Sequence, residues 1–291
     1  MYPILFKIPI PEFLQGILPA HLIIHTYGFC IALGILVSYA FLLKRLKKQI
    51  GADSDQITNF VMLTTIAGIV GGKIAFYFEA PAYYFGHPAN MIRSFGSGFV
   101  FYGAFILALP VLYFFFKKHN WPKRKMLDII AIAAIILLFF GRLGCFSAGC
   151  CHGIRTDSWL GVVFSNPNCV AYPLNTPLYP TQLFEAGLLV LIFFVIYLLR
   201  NKKQYDGQLF LIYTFLYAIG RFFIEFLRGD SDRGFLFNGK ISHSQFIAII
   251  IIIIVVIAHF YMKKKYSFTD SYNKEKDTSR RDIDDQYERN D

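Results

Sequence analysis

Arg142, Arg221, Glu225 and Arg228 sit inside or at the ends of long apolar stretches, where charge is expensive. An arginine near the centre of a spanning helix costs roughly 2.5–3.5 kcal/mol or more, so such residues face a bundle interior or a wet cavity and pair with something. In LYAIGRFFIEFLRGD, Tyr217, Arg221, Glu225 and Arg228 stand at i, i+4, i+8 and i+11, which superposes them on one face of an α-helix. Arg221 and Glu225 could simply neutralise each other there as a structural ion pair. Arg228 lies at the outer end, where snorkelling is cheap, and Arg142 adds a third cation near the outer end of its own stretch. Three guanidinium groups facing one cavity would suit a phosphate-bearing headgroup, because each offers paired donors to phosphate oxygens. A lipid-phosphate site is the chemistry these residues favour.

Other residues qualify for supporting parts. Gly96, Gly98 and Gly103 surround FVFY, and Gly141, Gly144, Gly149 and Gly153 punctuate GRLGCFSAGCCHG. Glycine lets helix backbones approach closely and lets an irregular loop line a cavity, so packing and site-lining roles both stand. Gln182 and Glu185 in PTQLFEA open a helix at i, i+3; they either cap it or, for Glu185, hold an arginine in its phosphate-facing rotamer. Lys73 is an intramembrane cation that joins the pocket or pairs with Glu79. Cys145, Cys150, Cys151 and Cys169 cluster with His152 on or near one loop, while Cys30 reads as core. Adjacent Cys150 and Cys151 are awkward as two ligands of one tetrahedral ion and no paired CxxC spacing occurs, so neither metal nor cofactor is expected. A disulfide from Cys169 to Cys150 or Cys151 is the stronger alternative to inert thiols.

The elements that must position these residues are set by composition. With 55% hydrophobic and 16% charged residues and a mean hydropathy of +0.46, the chain is too apolar for an ordinary soluble domain. A span needs about 20 mostly apolar residues. Stretches that qualify run from Leu22 to Leu43, Ile57 to Phe78, Phe99 to Phe116, Met126 to Phe146, Thr181 to Leu199, Gln208 to Leu227 and Ser244 to Tyr261. Backbone groups in lipid must pair within their own segment, and runs this long select helices over a barrel's alternation. The fold class predicted is an all-α polytopic membrane protein of seven transmembrane helices, with residues 1–265 forming the domain.

Lysine and arginine clusters follow spans one, three, five and seven (Lys44 to Lys48, Lys117 to Lys125, Arg200 to Lys203, Lys263 to Lys265). By the positive-inside rule the N-terminus is outside and the C-terminus cytoplasmic. The connections 80–98, 148–180 and 229–243 are then extracytoplasmic. The formal charge of +10 is mostly a topology signal, with anionic lipid headgroups as counter-charge. Basic residues scattered between spans form no nucleic-acid surface. The basic cluster follows the first apolar run, so no cleavable signal peptide is evident. No internal repeat, P-loop or GxGxxG pattern is found. The charge-mixed segment 266–291 cannot bury enough apolar surface to fold alone and is expected to be a disordered cytoplasmic tail.

The strings HTYG at His25 to Gly28, SGFVFYGA at Ser97 to Ala104, GRLGCFSAGCCHG at Gly141 to Gly153, WLGVVF at Trp159 to Phe164, YPTQLFEA at Tyr179 to Ala186 and YAIGRFFIEFLR at Tyr217 to Arg228 resemble, in order, the prolipoprotein diacylglyceryl transferases of bacteria. The resemblance covers residues from about 20 to 262. It implies a multi-pass plasma-membrane enzyme that moves a diacylglyceryl group from phosphatidylglycerol onto the thiol of the lipobox cysteine in a prolipoprotein signal peptide, releasing glycerol phosphate. Fixed cations aimed at the departing phosphate would lower that barrier. By the same resemblance Arg142 matches the phosphate-binding arginine of the GR motif and Arg221 the essential arginine of the sixth span. Tyr27, Gly153, Tyr217 and Glu225 match further site positions. A phospholipid-binding or transport bundle without thiol chemistry is the alternative function.

The departures bear on mechanism. Tyr102 stands where the family commonly has histidine, and Cys145 and Cys150 stand where it commonly has asparagine and glutamate. Tyrosine, with an ordinary pKa near about 10, is a weak base for a thiol proton. Three accounts follow: Tyr102 orients substrate while phosphate departure dominates, His25 or His152 takes the proton, or the substrate differs.

Overall fold

The computed structural model describes residues 1–9, 11, 21–94, 98–229, 234–236, 239 and 241–288, without side-chain detail for 22, 92, 93 and 267–288. Gly96, Ser97 and residues 230–233, 237, 238 and 240 of the 229–243 connection therefore lie outside the described residues. In the segment expected to be a disordered tail, the described backbone is helical to Glu288.

The structure is mostly helical. β1 (Ile4–Pro9) and β2 (His21–His25) precede α1 (Thr26–Ile50) and α2 (Ser54–Glu79); the short α3 (Pro81–Phe85) and α4 (Pro88–Arg93) lead to α5 (Phe101–Lys118) and α6 (Lys123–Ala148). Then follow β3 (Val162–Val163), β4 (Pro177–Leu178), α7 (Thr181–Leu199), α8 (Gln208–Ile224), a 3₁₀ turn at Glu225–Leu227, β5 (Phe235–Leu236), β6 (Ile241–Ser242) and α9 (His243–Glu288). Among the described residues, seven of these helices are long and apolar enough to cross a membrane, one for each predicted stretch. Three two-stranded antiparallel sheets among the described residues, β1–β2, β3–β4 and β5–β6, qualify the all-α expectation. The first span also starts later than expected, at Thr26. His21–His25, with its β-branched pair Ile23–Ile24, bonds to β1 in antiparallel register instead, and Thr26 closes the hairpin by donating its N–H to Pro3 O at 3.0 Å.

By compactness the chain divides into two units, Leu36–Ala133 and the combination of Met1–Ile35 with Ala134–Asp291. In the first, Gly51 ends α1 at φ 65° and Asp53 caps α2 by accepting from Asp55 N at 3.3 Å, so the chain reverses in three residues. Leu46, Ile57, Met126 and Trp121 form its core around Phe60, whose ring lies 5.4 to 5.7 Å from those of Phe115, Trp121 and Phe116. Farther along, α2 meets α5 through glycine: Gly71 lies against Gly103 backbone and Gly72 against the Phe99 ring, and Gly98, at φ 69°, against Phe76.

The second unit holds the catalytic-looking charges. Along α7 the buried positions are Thr181, Gln182, Glu185, Ala186, Leu189, Ile192 and Ile196, one stripe at helical spacing. Its first turns are polar and the rest aliphatic, so the same face that packs the bundle also delivers a carboxylate into it. The connection from Cys150 to Leu178 folds over its own small core of Phe164, Cys169, Ala171 and Leu178. Large apolar side chains such as Leu191, Leu198, Phe223 and Ile257 stay exposed on the spans, as lipid-facing surfaces should.

Candidate active site

Glu185 is 1% exposed and binds two arginines from different helices. Its Oε2 lies 2.9 Å from Nη2 of Arg142 on α6, and its Oε1 lies 3.6 Å from Nη1 of Arg221 on α8. Tyr217, one turn before Arg221, donates its hydroxyl to Oε2 at 3.3 Å. Arg221 in turn pairs with Glu225 at 2.6 Å. That contact is an ion pair outside good hydrogen-bond geometry, so it holds charge more than direction. Removing one charge from such a buried set would strand the others, at a cost of about 3–5 kcal/mol. The expected i, i+4 pair is therefore present, but it is one edge of a network that also joins α6, α7 and α8.

Arg228 departs from the predicted helical face. α8 stops at Ile224, the 3₁₀ turn follows, and Arg228 is extended at φ −73°, ψ 140°. It is 8% exposed, where an interfacial snorkelling residue was expected. Its backbone pairs with Gly153 in an isolated bridge, and the neighbouring bonds Ile154 N to Leu227 O at 2.8 Å, Gly229 N to His152 O at 3.1 Å and Gly153 N to Tyr179 O at 2.7 Å make a three-way backbone crossing. A Cβ at Gly153 would lie 2.6 Å from Leu227 O, which is why glycine stands there. The residues before α7 and after α8 are thus tied through the 151–156 segment. Arg142 and Arg221 share the Glu185 carboxylate, and Arg221 also meets Glu225.

Gln182 does not cap α7. Its Nε2 donates to Cys150 O at 2.6 Å, while Thr181 Oγ1 donates to Cys151 O at 2.6 Å. Both side chains are fully buried, and the helix N-cap is Pro180 without a side-chain cap bond. Two consecutive carbonyls of the Cys150–Cys151 turn are therefore clamped to the helix that carries Glu185. Cys151 sits in the left-handed region at φ 60°. All five cysteines are free, so the Cys169 disulfide is not formed; Cys169 belongs to the loop core instead. The thiols that do come together are Cys145, Cys150 and Cys151, whose sulfur atoms all lie within 4.8 Å of one another. Hydrogen bonds with Cys145 and Cys150 lower the Cys151 thiol, helped by Arg228 and Arg142, whereas Cys150 is raised by its bonds to Cys145 and Cys151 and by burial.

His152 is engaged at both ring nitrogens. Nε2 accepts from Tyr172 N at 3.4 Å, which leaves the proton on Nδ1 for donation to Gly153 O at 2.9 Å. It pins the loop. His25 is exposed in β2, paired with Ile4. Tyr27, in the first turn of α1, packs against Gly144, where an added Cβ would meet its ring at 3.1 Å, and its phenol feels Cys145, Cys150, Cys151 and Arg142.

Gly98, Tyr102 and Gly103 belong to the other unit and are described within it. Gly98 and Gly103 are explained there by backbone approach to α2, and Tyr102 is exposed in the first turn of α5, edge-on to Phe101. Lys73 does not pair with Glu79 there: its Nζ donates to Ser94 O at 3.3 Å and Gly98 O at 2.9 Å and lies 5.4 Å from the Phe76 ring centre.

Comparison with known proteins adds an independent line. A model of the family described as prolipoprotein diacylglyceryl transferase matches residues 16–261. The chain is 39% identical over 226 residues, 78% of its own length and 88% of the relative's, to the phosphatidylglycerol–prolipoprotein diacylglyceryl transferase of Clostridium tetani. It is 38% identical over 232 residues (78% and 86%) to the second such transferase of Clostridium perfringens, and 30% identical over 239 residues (82% and 91%) to that of Clostridioides difficile.

Proposed function

Because the chain belongs to the prolipoprotein diacylglyceryl transferase family, we propose that it transfers the diacylglyceryl group of phosphatidylglycerol to the lipobox cysteine of a prolipoprotein signal peptide, at the extracytoplasmic side of a bacterial plasma membrane. The observation that carries this reading is Glu185 gathering Arg142 and Arg221. In the ground state the headgroup brings one negative charge to guanidiniums that Glu185 has already placed. The substrate sulfur attacks the glycerol carbon, the carbon–oxygen bond breaks, and the leaving glycerol phosphate gains a second negative charge. Guanidiniums already fixed by Glu185 meet that growing charge without reorganising, which lowers the barrier more than it tightens ground-state binding.

Arg142 and Arg221 hold the phosphate in this scheme, and Arg228 neutralises it from the loop side. Tyr217, Glu185 and Glu225 are positioning residues acting through the arginines. Gly153 keeps the backbone crossing narrow, and Tyr27 and Cys145 line the thiol side. The lysine and arginine distribution supports an extracytoplasmic N-terminus and a cytoplasmic C-terminus.

The test is reconstitution of the purified full chain with phosphatidylglycerol and a lipobox peptide, read by mass spectrometry. A thioether-linked diacylglyceryl product is expected, and its loss in Arg142→Ala and Arg221→Ala with membrane insertion intact. Unchanged turnover in both variants, or phospholipid binding without product, overturns the reading.

A further inference from the structure

Three thiols meet beside the arginine network, and the reaction proposed above needs a thiolate. Cys145 lies one helical turn after Arg142 on α6, so the two share a face. Cys150 and Cys151 reach it from the turn that follows. Adjacent cysteines diverge in a regular helix or strand; here the left-handed backbone at Cys151 brings both sulfurs back toward Cys145. The turn is held in that shape by Gln182 and Thr181, whose donors take both its carbonyls. A zinc ion with four tetrahedral sulfur ligands at about 2.3 Å sets sulfur–sulfur separations of about 3.8 Å, and the free thiols, within 4.8 Å, need to close by about an ångström at most.

We infer that Cys145, Cys150 and Cys151 form a three-thiolate site for a thiophilic divalent cation of the zinc group, whose open fourth position takes the substrate cysteine as thiolate. This rests on the transferase reading of the same pocket. Three protein ligands with one open position is the arrangement of catalytic zinc, and a coordinated thiol is deprotonated outright. The dication with three thiolates carries a net charge of −1, in the field of the Arg142 and Arg228 guanidiniums that already act on Cys151. The substrate thiol binds and releases its proton to water. Its sulfur then attacks the glycerol carbon, the carbon–oxygen bond breaks with its electron pair leaving on glycerol phosphate, and the neutral thioether leaves the metal, which is regenerated unchanged. Such a site removes the need for a side-chain base. It accounts for Tyr102 and the engaged His152, neither of which offers a free imidazole, in a chain that carries Cys145 and Cys150 where the family commonly has asparagine and glutamate.

The test uses the detergent-solubilised full chain and cadmium as a spectroscopic probe, followed by zinc for turnover. One cadmium per chain is expected, with an ultraviolet thiolate-to-cadmium charge-transfer band that grows by about one third when a lipobox peptide supplies a fourth sulfur, and not with the peptide's cysteine replaced by serine. Cys145→Ser, Cys150→Ser and Cys151→Ser should each weaken cadmium binding by more than about 100-fold, beyond the loss caused by removing an outer hydrogen-bond partner. Cys169→Ala should bind as the parent does. Absence of the band, a band indifferent to these substitutions, or a disulfide among the three cysteines in protein taken from membranes overturns the inference. Thioether product from chelator-stripped, metal-free protein overturns it too and leaves the transferase reading intact. Absence of product from zinc-loaded protein whose cadmium form binds the peptide overturns the transferase reading and leaves the ion site.

Discussion

Arg142 and Arg221 come from helices separated by the whole of α7, yet each closes on a different oxygen of the same carboxylate, at 2.9 and 3.6 Å. Glu185 is thereby the piece that sets their spacing. Glu185→Gln keeps the size and a hydrogen-bonding oxygen but removes the charge that holds both guanidiniums. Transfer should fall by about 10- to 100-fold, as loss of an outer-layer partner does elsewhere, with the fall in kcat rather than KM. Glu185→Ala should also destabilise the fold, by about 3–5 kcal/mol, because it strands buried cations. Kinetics on the reconstituted protein and thermal unfolding in detergent separate the two effects.

Two glycines from motifs that look alike should behave oppositely. A Cβ at Gly103 would run into Gly71 O and Ala75, whereas one at Gly28 would meet nothing within 4 Å. Gly103→Val should therefore force α2 and α5 apart and cost about 1–3 kcal/mol or more. Gly28→Ala should be neutral, or stabilising by up to about 1 kcal/mol as helix propensity improves. Thermal unfolding of the two variants side by side is the measurement.

What could be read in advance follows the range of the forces. Seven spans were legible because lipid solvation acts locally, on windows of about 20 residues, and the polar spacing of Tyr217, Arg221 and Glu225 was legible because α8 carries it at i, i+4. Arg228 was misplaced because the helix tightens into a 3₁₀ turn at Glu225 and then extends, a change the apolar pattern does not encode. Gln182 looked like a helix-capping residue; its real partner, the Cys150 carbonyl, lies about thirty positions upstream, and Thr181 beside it bonds the Cys151 carbonyl. The only hint was their place on the buried stripe of α7. The clustering of the cysteines was legible, but which of them meet was not, since that depends on one left-handed residue, Cys151, and on Cys169 packing into the loop core.

Lys73 spans the ends of the segment before α5, donating to Ser94 O and Gly98 O. Hydrogen bonds from a charged donor contribute about 1.5–3 kcal/mol each. Lys73→Met keeps the apolar stem and removes both. The Val100 amide, which bonds to Gly72 O at 3.2 Å just beyond this clamp, should then exchange at least about tenfold faster with solvent deuterium. Exchange at the Phe60 core should not change.

His152 separates a structural histidine from a catalytic one. With Nε2 accepting from Tyr172 and Nδ1 donating to Gly153, neither nitrogen is open to a substrate proton. A catalytic histidine gives kcat/KM an acidic limb near its own pKa, around about 6.5 when unperturbed, and the limb disappears with the ring. His152→Asn can keep one of the two bonds and should lower stability by about 1–3 kcal/mol, yet leave the shape of the pH–rate profile as it was. If the limb vanishes and turnover at neutral pH drops by more than about 100-fold, the imidazole is the proton acceptor after all, and its bonds to the loop must open during turnover.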